Sequence, residues 1–232
     1  MFMYFDPLYM LMIAPALLLS VYAQMRVKSA FAKFSKVPNR LGLTGAQAAR
    51  RILDAAGLVN VRIETAQGFL SDHYDPRTRV LRLSPDVYGQ PSLAAVGVAA
   101  HEAGHALQHA QGYAPLQLRS ALVPVAQIGS QLAWPLLLFG FLLQTLALVK
   151  VGVVLFAGAV AFQLVTLPVE FNASRRALVA LQGAGVLAPD EIPGARQVLT
   201  AAALTYVAAA VAAVLQLLYF LMRSGLLGGS DE

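Results

Sequence analysis

Apolar residues in this chain gather into four long stretches, and regular polar periodicity appears only between them. The first is PLYMLMIAPALLLSVYA (7–23). Residues 120–169 form an apolar run too long for one helix, since crossing about 30 Å of hydrocarbon takes roughly 20 apolar residues. The run therefore predicts two spans, near 120–143 and 151–169, with a turn between Gln144 and Lys150. The last stretch is VLTAAALTYVAAAVAAVLQLLYFLM (198–222). No Lys or Arg precedes the first stretch, which is unlike a cleaved signal peptide. It is expected to remain as a span.

The segment between the first and second spans changes period. TGAQAARRILDAAG (44–57) predicts a helix with Thr44 as N-cap, Ala48, Ile52 and Leu53 as its apolar face, and Gly57 as its stop. VRIET (61–65) predicts a short strand. GFLSDHYDPRTRVLRLSP (68–85) predicts a hairpin turning at Asp75-Pro76, with Val80, Leu81 and Leu83 strand-like. SLAAVGVAAHEAGHALQHAQG (92–112) predicts a helix ending at Gly112. This loop is α+β.

Composition narrows the class. The chain is 58% hydrophobic and 12% charged, against about a quarter charged in a soluble domain. It has no cysteine, which excludes disulfides and thiolate metal sites and leaves His, Asp and Glu as metal ligands. The net charge of +5 does not indicate a nucleic-acid partner, because the basic residues sit beside the apolar stretches. Twelve of the 17 lie between the first and second spans, and Arg175, Arg176 and Arg196 lie between the third and fourth. Only Lys150 and Arg223 fall elsewhere. The positive-inside rule then places both large loops in the cytoplasm and both termini outside. AQMRVKSAFAKFSKVPNR, which continues the first span, is either a basic amphipathic helix lying on anionic headgroups or a solvated linker.

The chemistry concentrates in HEAGH, residues 101–105. Residues four apart on an α-helix differ by about 40° around the axis, so His101 and His105 share a face and can reach one cation. Glu102 projects about 100° away, where it can touch a water bound to that cation. This is the H-E-x-x-H arrangement, in which zinc acidifies a water and the glutamate takes its proton. Small residues at Ala103, Gly104 and Ala106 let other segments approach closely.

A catalytic zinc takes three protein ligands and keeps one open position. The candidates for the third are His73, His109, Glu170, Asp190 and Glu191. His109 stands about 12 Å along the axis from His101, too far to share the ion, and reads better as a polar helix end. His73 on the hairpin reads as solvent- or substrate-facing. Glu170 is favoured. It follows Pro168 at the end of the third span, where a carboxylate is costly unless paired or metal-bound. The competing reading makes it an ordinary first-turn glutamate of a new helix, favoured by the helix dipole.

HEAGHALQH after GFLSDHYDPRTRVLRLSPDVY, with LPVEFNASRRALVAL after two spans, resembles the YugP-like membrane zinc metallopeptidases of bacteria over nearly the whole chain. At longer range, the same motifs resemble the HtpX-like and CAAX-prenyl membrane proteases, which are gluzincins. The resemblance implies that His101, His105 and Glu170 are zinc ligands and Glu102 the general base. Those distant relatives usually carry Asp four residues after the ligand glutamate, where this chain has Ser174 with Asn172 nearby, so a group orienting a metal ligand differs. Arg175 or Arg176 can stabilise an oxyanion, or simply anchor the loop to the cytoplasmic face.

The expected fold class is a mainly α polytopic membrane protein, with four transmembrane helices and a small cytoplasmic α+β zincin-like protease domain. Its expected parts are a first span (1–24), the α+β domain with the H-E-x-x-H helix (25–118), a transmembrane hairpin (119–169), a cytoplasmic helical segment carrying the third ligand (170–197), and a fourth span with a tail (198–232). The expected activity is that of a Zn²⁺-dependent endopeptidase in the bacterial inner (plasma) membrane. Its expected partners are the lipid bilayer and a protein or peptide substrate, with His73, Asn172, Arg175 and Arg176 as candidate substrate or transition-state contacts. The free strand of the hairpin can pair an extended substrate by β-augmentation. The alternative is a non-catalytic assembly or quality-control factor with a structural metal. A transporter fits less well, because the histidines lie in a loop of mixed α+β character.

Overall fold

A computed structural model describes residues 6–68 and 71–226. Phe69 and Leu70, within the expected hairpin segment, lie outside the described residues, as do 1–5 and 227–232 of the outer expected parts.

The element order is α1 (Pro7–Phe34), α2 (Gly45–Ala55), β1 (Arg62–Thr65), β2 (His73–Asp75), β3 (Val80–Leu83), α3 (Pro85–Tyr88), α4 (Leu93–Ala110), α5 (Ala114–Leu142), α6 (Leu146–Gly183) and α7 (Ile192–Arg223). The chain divides into two compact units: Met1–Tyr22, Gln117–Pro168 and Thr205–Glu232 form one, and Ala23–Leu116 with Val169–Leu204 the other.

The first unit is built from helices. Among the described residues, α1, α5, α6 and α7 are the four helices long and apolar enough to cross a membrane. Large apolar side chains such as Leu11 (74% exposed), Leu18 (71%) and Val154 (70%) point outward, a pattern that water would penalise and hydrocarbon accepts. The core of this unit joins Ala133 and Leu137 of α5, Val149, Val153, Phe156 and Val160 of α6, and Tyr219 and Phe220 of α7. Some hydroxyls on the spans bond to their own helix, as apolar surroundings favour. Ser20 donates to the Ala16 carbonyl and Thr166 to that of Phe162.

Two boundaries differ from the sequence expectation. The turn between the second and third spans is confined to 143–145, with Gln144 at φ 53°, rather than running from Gln144 to Lys150. Pro168 does not end a helix either, because α6 continues through it to Gly183. A proline inside a helix removes one i→i−4 bond and can kink the helix without ending it.

The second unit is α+β. Thr44 caps α2 through a full capping box with Gln47, whose side chain accepts from the Thr44 amide. The apolar face of α2 (Ala48, Ala49, Ile52, Leu53) is buried against a core that includes Leu81, Leu83, Ala99, Ala103, Ala177 and Leu181. Burying Ile52 and Leu53 contributes about 1.5–3 kcal/mol each. The sheet order is β1-β3-β2, with β1 parallel and β2 antiparallel to β3. The central strand β3 is buried and β2 is an edge. Asp75 closes the turn between β2 and β3 by accepting from the Arg77 amide and the Thr78 hydroxyl. A single turn, α3, was not foreseen; Pro85 occupies its first position.

Candidate metal centre

α4 begins at Ser92, whose hydroxyl accepts from the Ala95 amide, and runs through a nearly continuous apolar core. Along it His105 and Glu102 are each 8% exposed. α6 brings Glu170 opposite, at 2% exposure. The close approach is made possible by Gly104, where a Cβ would stand 2.6 Å from the Ala173 carbonyl oxygen of α6. Any larger residue there would push the two helices apart.

His101, His105 and Glu170 converge, each offering one ligand atom, and these atoms all lie within 4.8 Å of one another. Glu170 Oε2 is 3.1 Å from His101 Nε2 and 3.6 Å from His105 Nε2. Two ligands of a tetrahedral zinc, each about 2.0–2.1 Å from the ion, stand about 3.3–3.4 Å apart. The two separations bracket that value. The histidine rings meet nearly edge to face, with centroids 4.8 Å apart, so both Nε2 atoms turn toward the carboxylate. Two imidazoles and a carboxylate are a borderline donor set suited to zinc, and the residues present fit such an ion.

Electrostatics point the same way. Burial pushes the His105 imidazole down, but the bond and charge of Glu170, with the charge of Glu102, outweigh it and raise the pKa overall. A cation, proton or metal, is favoured between these groups.

The outer nitrogens are also engaged. His101 Nδ1 is 3.1 Å from the Ser174 hydroxyl, so the position that departs from the distant relatives' Asp still touches this imidazole. His105 Nδ1 is 3.0 Å from Gln108 Oε1. Gln108 is not among the residues that the sequence pattern singles out. Its signal was available: a polar side chain three residues after His105, on the inward face of an apolar helix. Asn172 Oδ1 accepts from Gln108 Nε2 and from Arg176 Nε. Arg176 also donates to Gln111 Oε1 and lies over the Tyr113 ring. Arg175 is exposed.

The other candidates for third ligand lie outside the cluster. His73 is exposed, with Nδ1 2.8 Å from the Ser71 carbonyl. His109 Nδ1 is 2.9 Å from the Tyr74 hydroxyl, tying α4 to β2. Asp190 pairs with Arg40. Glu191 accepts from the Arg40 and Ala188 amides. Glu170 itself sits in mid-helix rather than in a first turn, so the helix dipole does not explain it.

Fold and centre together describe a protein with four helices long and apolar enough to cross a membrane among the described residues, and a His-His-Glu group on two helices that could hold a metal ion. The chain belongs to the family described as "Putative neutral zinc metallopeptidase", which matches residues 9–225. It is also 50% identical, over 225 residues, to "Putative membrane protease YugP" of Bacillus subtilis (strain 168), covering 97% of this chain and 99% of that protein. No solved structure matches the chain. With four helices of membrane-crossing length, this makes it a multi-pass membrane protein of a zinc metallopeptidase family.

Proposed function

We propose that this protein is a membrane zinc endopeptidase in which His101, His105 and Glu170 hold the ion and Glu102 is the general base. The observation that carries the reading is the 3.1 and 3.6 Å spacing of Glu170 Oε2 from the two imidazole nitrogens. A bound Zn²⁺ supplies Lewis acidity and brings the pKa of a coordinated water to about 7. Glu102, one residue beyond His101 on α4, takes the proton from the attacking water through its carboxylate. It then returns that proton to the leaving amine as the peptide C–N bond breaks. Its burial keeps bulk water from competing for the proton.

The substrate is an extended segment of protein or peptide. β2 is an edge of the sheet among the described residues, and main-chain pairing along it positions a scissile bond without reading sequence. Arg175, Arg176, Asn172 and His73 are the candidate contacts for that substrate, and Asn172 also accepts from Gln108 and Arg176. The basic residues between spans support a reading with the centre on the cytoplasmic side of the inner membrane and both termini outside.

The deciding experiment is zinc content and peptide cleavage of purified protein, wild-type beside Glu102→Gln, His101→Ala and Glu170→Ala. Glu102→Gln is expected to retain zinc and lose cleavage, and the other two to lose zinc. Full activity in Glu102→Gln favours a non-catalytic assembly factor. Full zinc occupancy in Glu170→Ala refutes the ligand set. A proline at an outward-facing donor of β2 is expected to slow cleavage of extended peptides, and unchanged cleavage rejects the edge pairing.

A further inference from the structure

We propose that Gln108 is a positioning residue that keeps the single proton of neutral His105 on Nδ1 and registers the Glu170 helix with the same amide. The inference rests on reading His101, His105 and Glu170 as a metal centre.

Gln108 is completely buried, and its amide makes three contacts. Nε2 is 2.8 Å from the Val169 carbonyl and 3.0 Å from Asn172 Oδ1, while Oε1 is 3.0 Å from His105 Nδ1. The orientation of this amide follows from its neighbours. A backbone carbonyl only accepts, so the NH₂ group must face Val169. Arg176 Nε only donates, at 2.6 Å to Asn172 Oδ1, so Asn172 also presents an acceptor to that NH₂. Both ends of the network are one-way groups, and they leave Oε1 turned to His105. An acceptor cannot face a lone pair at 3.0 Å, so Nδ1 carries a proton.

The consequence falls on the other ring nitrogen. Neutral imidazole has one proton, and Glu170 Oε2, 3.6 Å from His105 Nε2, would accept it there. Gln108 wins that competition by geometry and leaves the Nε2 lone pair directed at the cluster, the form a metal requires. The same side chain grips the carbonyl of Val169, the residue before Glu170, and so fixes the rotation of α6 where the carboxylate projects. His101 is held differently: the Ser174 hydroxyl both donates and accepts and cannot dictate a tautomer. A buried amide costs more than an apolar side chain of similar size unless every bond is made, which is the condition met here.

The test uses full-length protein in detergent, with ¹⁵N-labelled histidine; the chain has four. Zinc-free spectra at alkaline pH, where the imidazoles are neutral, report each tautomer, and zinc competition reports affinity. Wild-type His105 is expected as the Nδ1–H form. In Gln108→Leu the proton is expected to move to Nε2 while the His101 signal stays, and zinc affinity to fall by about 10–100-fold. Gln108→Glu keeps the acceptor for Nδ1–H but weakens the hold on Val169, so it should retain the wild-type tautomer with intermediate affinity. An unchanged His105 tautomer and wild-type affinity in Gln108→Leu overturn the proposal. So does Gln108→Glu behaving no better than Gln108→Leu, which would make the residue mere filling. If wild-type protein binds no zinc, the metal reading fails, while the tautomer signals still decide whether Gln108 directs His105.

Discussion

His101 Nε2 stands 3.1 Å from Glu170 Oε2, although 69 residues separate them in the chain. The contact exists because α4 and α6 touch at Gly104 and Ala173. The two imidazoles are local, on neighbouring turns of a single helix, and the carboxylate arrives by packing. Perturbing the packing and perturbing the chemistry should therefore be separable.

Glu102→Gln removes the proposed base and leaves the three proposed ligand side chains untouched. Peptide cleavage is expected to fall by about 10²–10⁴-fold, with stoichiometric zinc retained by metal analysis. Loss of zinc together with activity would show that Glu102 helps to hold the ion.

Gly104→Ala acts on the helix contact alone. The new Cβ would meet the Ala173 carbonyl oxygen at 2.6 Å, and both partners there are backbone or fixed to it. Overpacking of this kind costs about 1–3 kcal/mol. The variant should melt earlier, and its zinc affinity should drop because Glu170 is carried away from the imidazoles. A melting temperature equal to wild-type would contradict the close approach.

Ser174 is the partner of His101 Nδ1. Ser174→Ala is expected to weaken zinc binding by about tenfold, the lower end for groups that orient a ligand. Ser174→Asp should bind zinc more tightly than Ser174→Ala, since a carboxylate makes the imidazole a stronger donor. Equal affinities in the two variants would remove Ser174 from the centre.

The pH dependence follows from His105, whose pKa is raised in the folded state. A raised value means the group contributes stability that is complete below its ordinary pKa of 6.5 and is lost as pH rises through the folded value. Zinc-free protein should therefore gain stability from this group as pH falls from the alkaline side toward that range. Zinc must displace the same proton, so its affinity should fall by about tenfold per pH unit once His105 is protonated. Melting curves at several pH values, with zinc and with chelator, check both signs. A zinc-free protein destabilised over the same range by this group, judged against His105→Gln, would reverse the argument.

Much of this protein is decided by one-dimensional pattern. Four apolar runs must leave water whatever else the chain does, and each lies along one of α1, α5, α6 and α7, although α1 runs on to Phe34 and α6 to Gly183. Thr44 and Gln47, three apart, write their own capping box, and His101 and His105 share a face because 3.6 residues make a turn. What pattern could not decide depends on which helix meets which. Pro168 and Glu170 read as the start of a new helix, because a break and a continuation leave the same local sequence; α6 in fact continues through both. His73, His109, Asp190 and Glu191 were equal to Glu170 as chemistry and were separated only by position. Gln108 gained its meaning only when the α6 backbone came within reach of its amide. The sequence by itself determined the spans and the local pair of imidazoles, because those follow from period and length. Only tertiary structure decided the carboxylate opposite them and the groups that orient the rings, because hydrogen bonds between helices depend on an approach of a few tenths of an ångström that no spacing along the chain encodes.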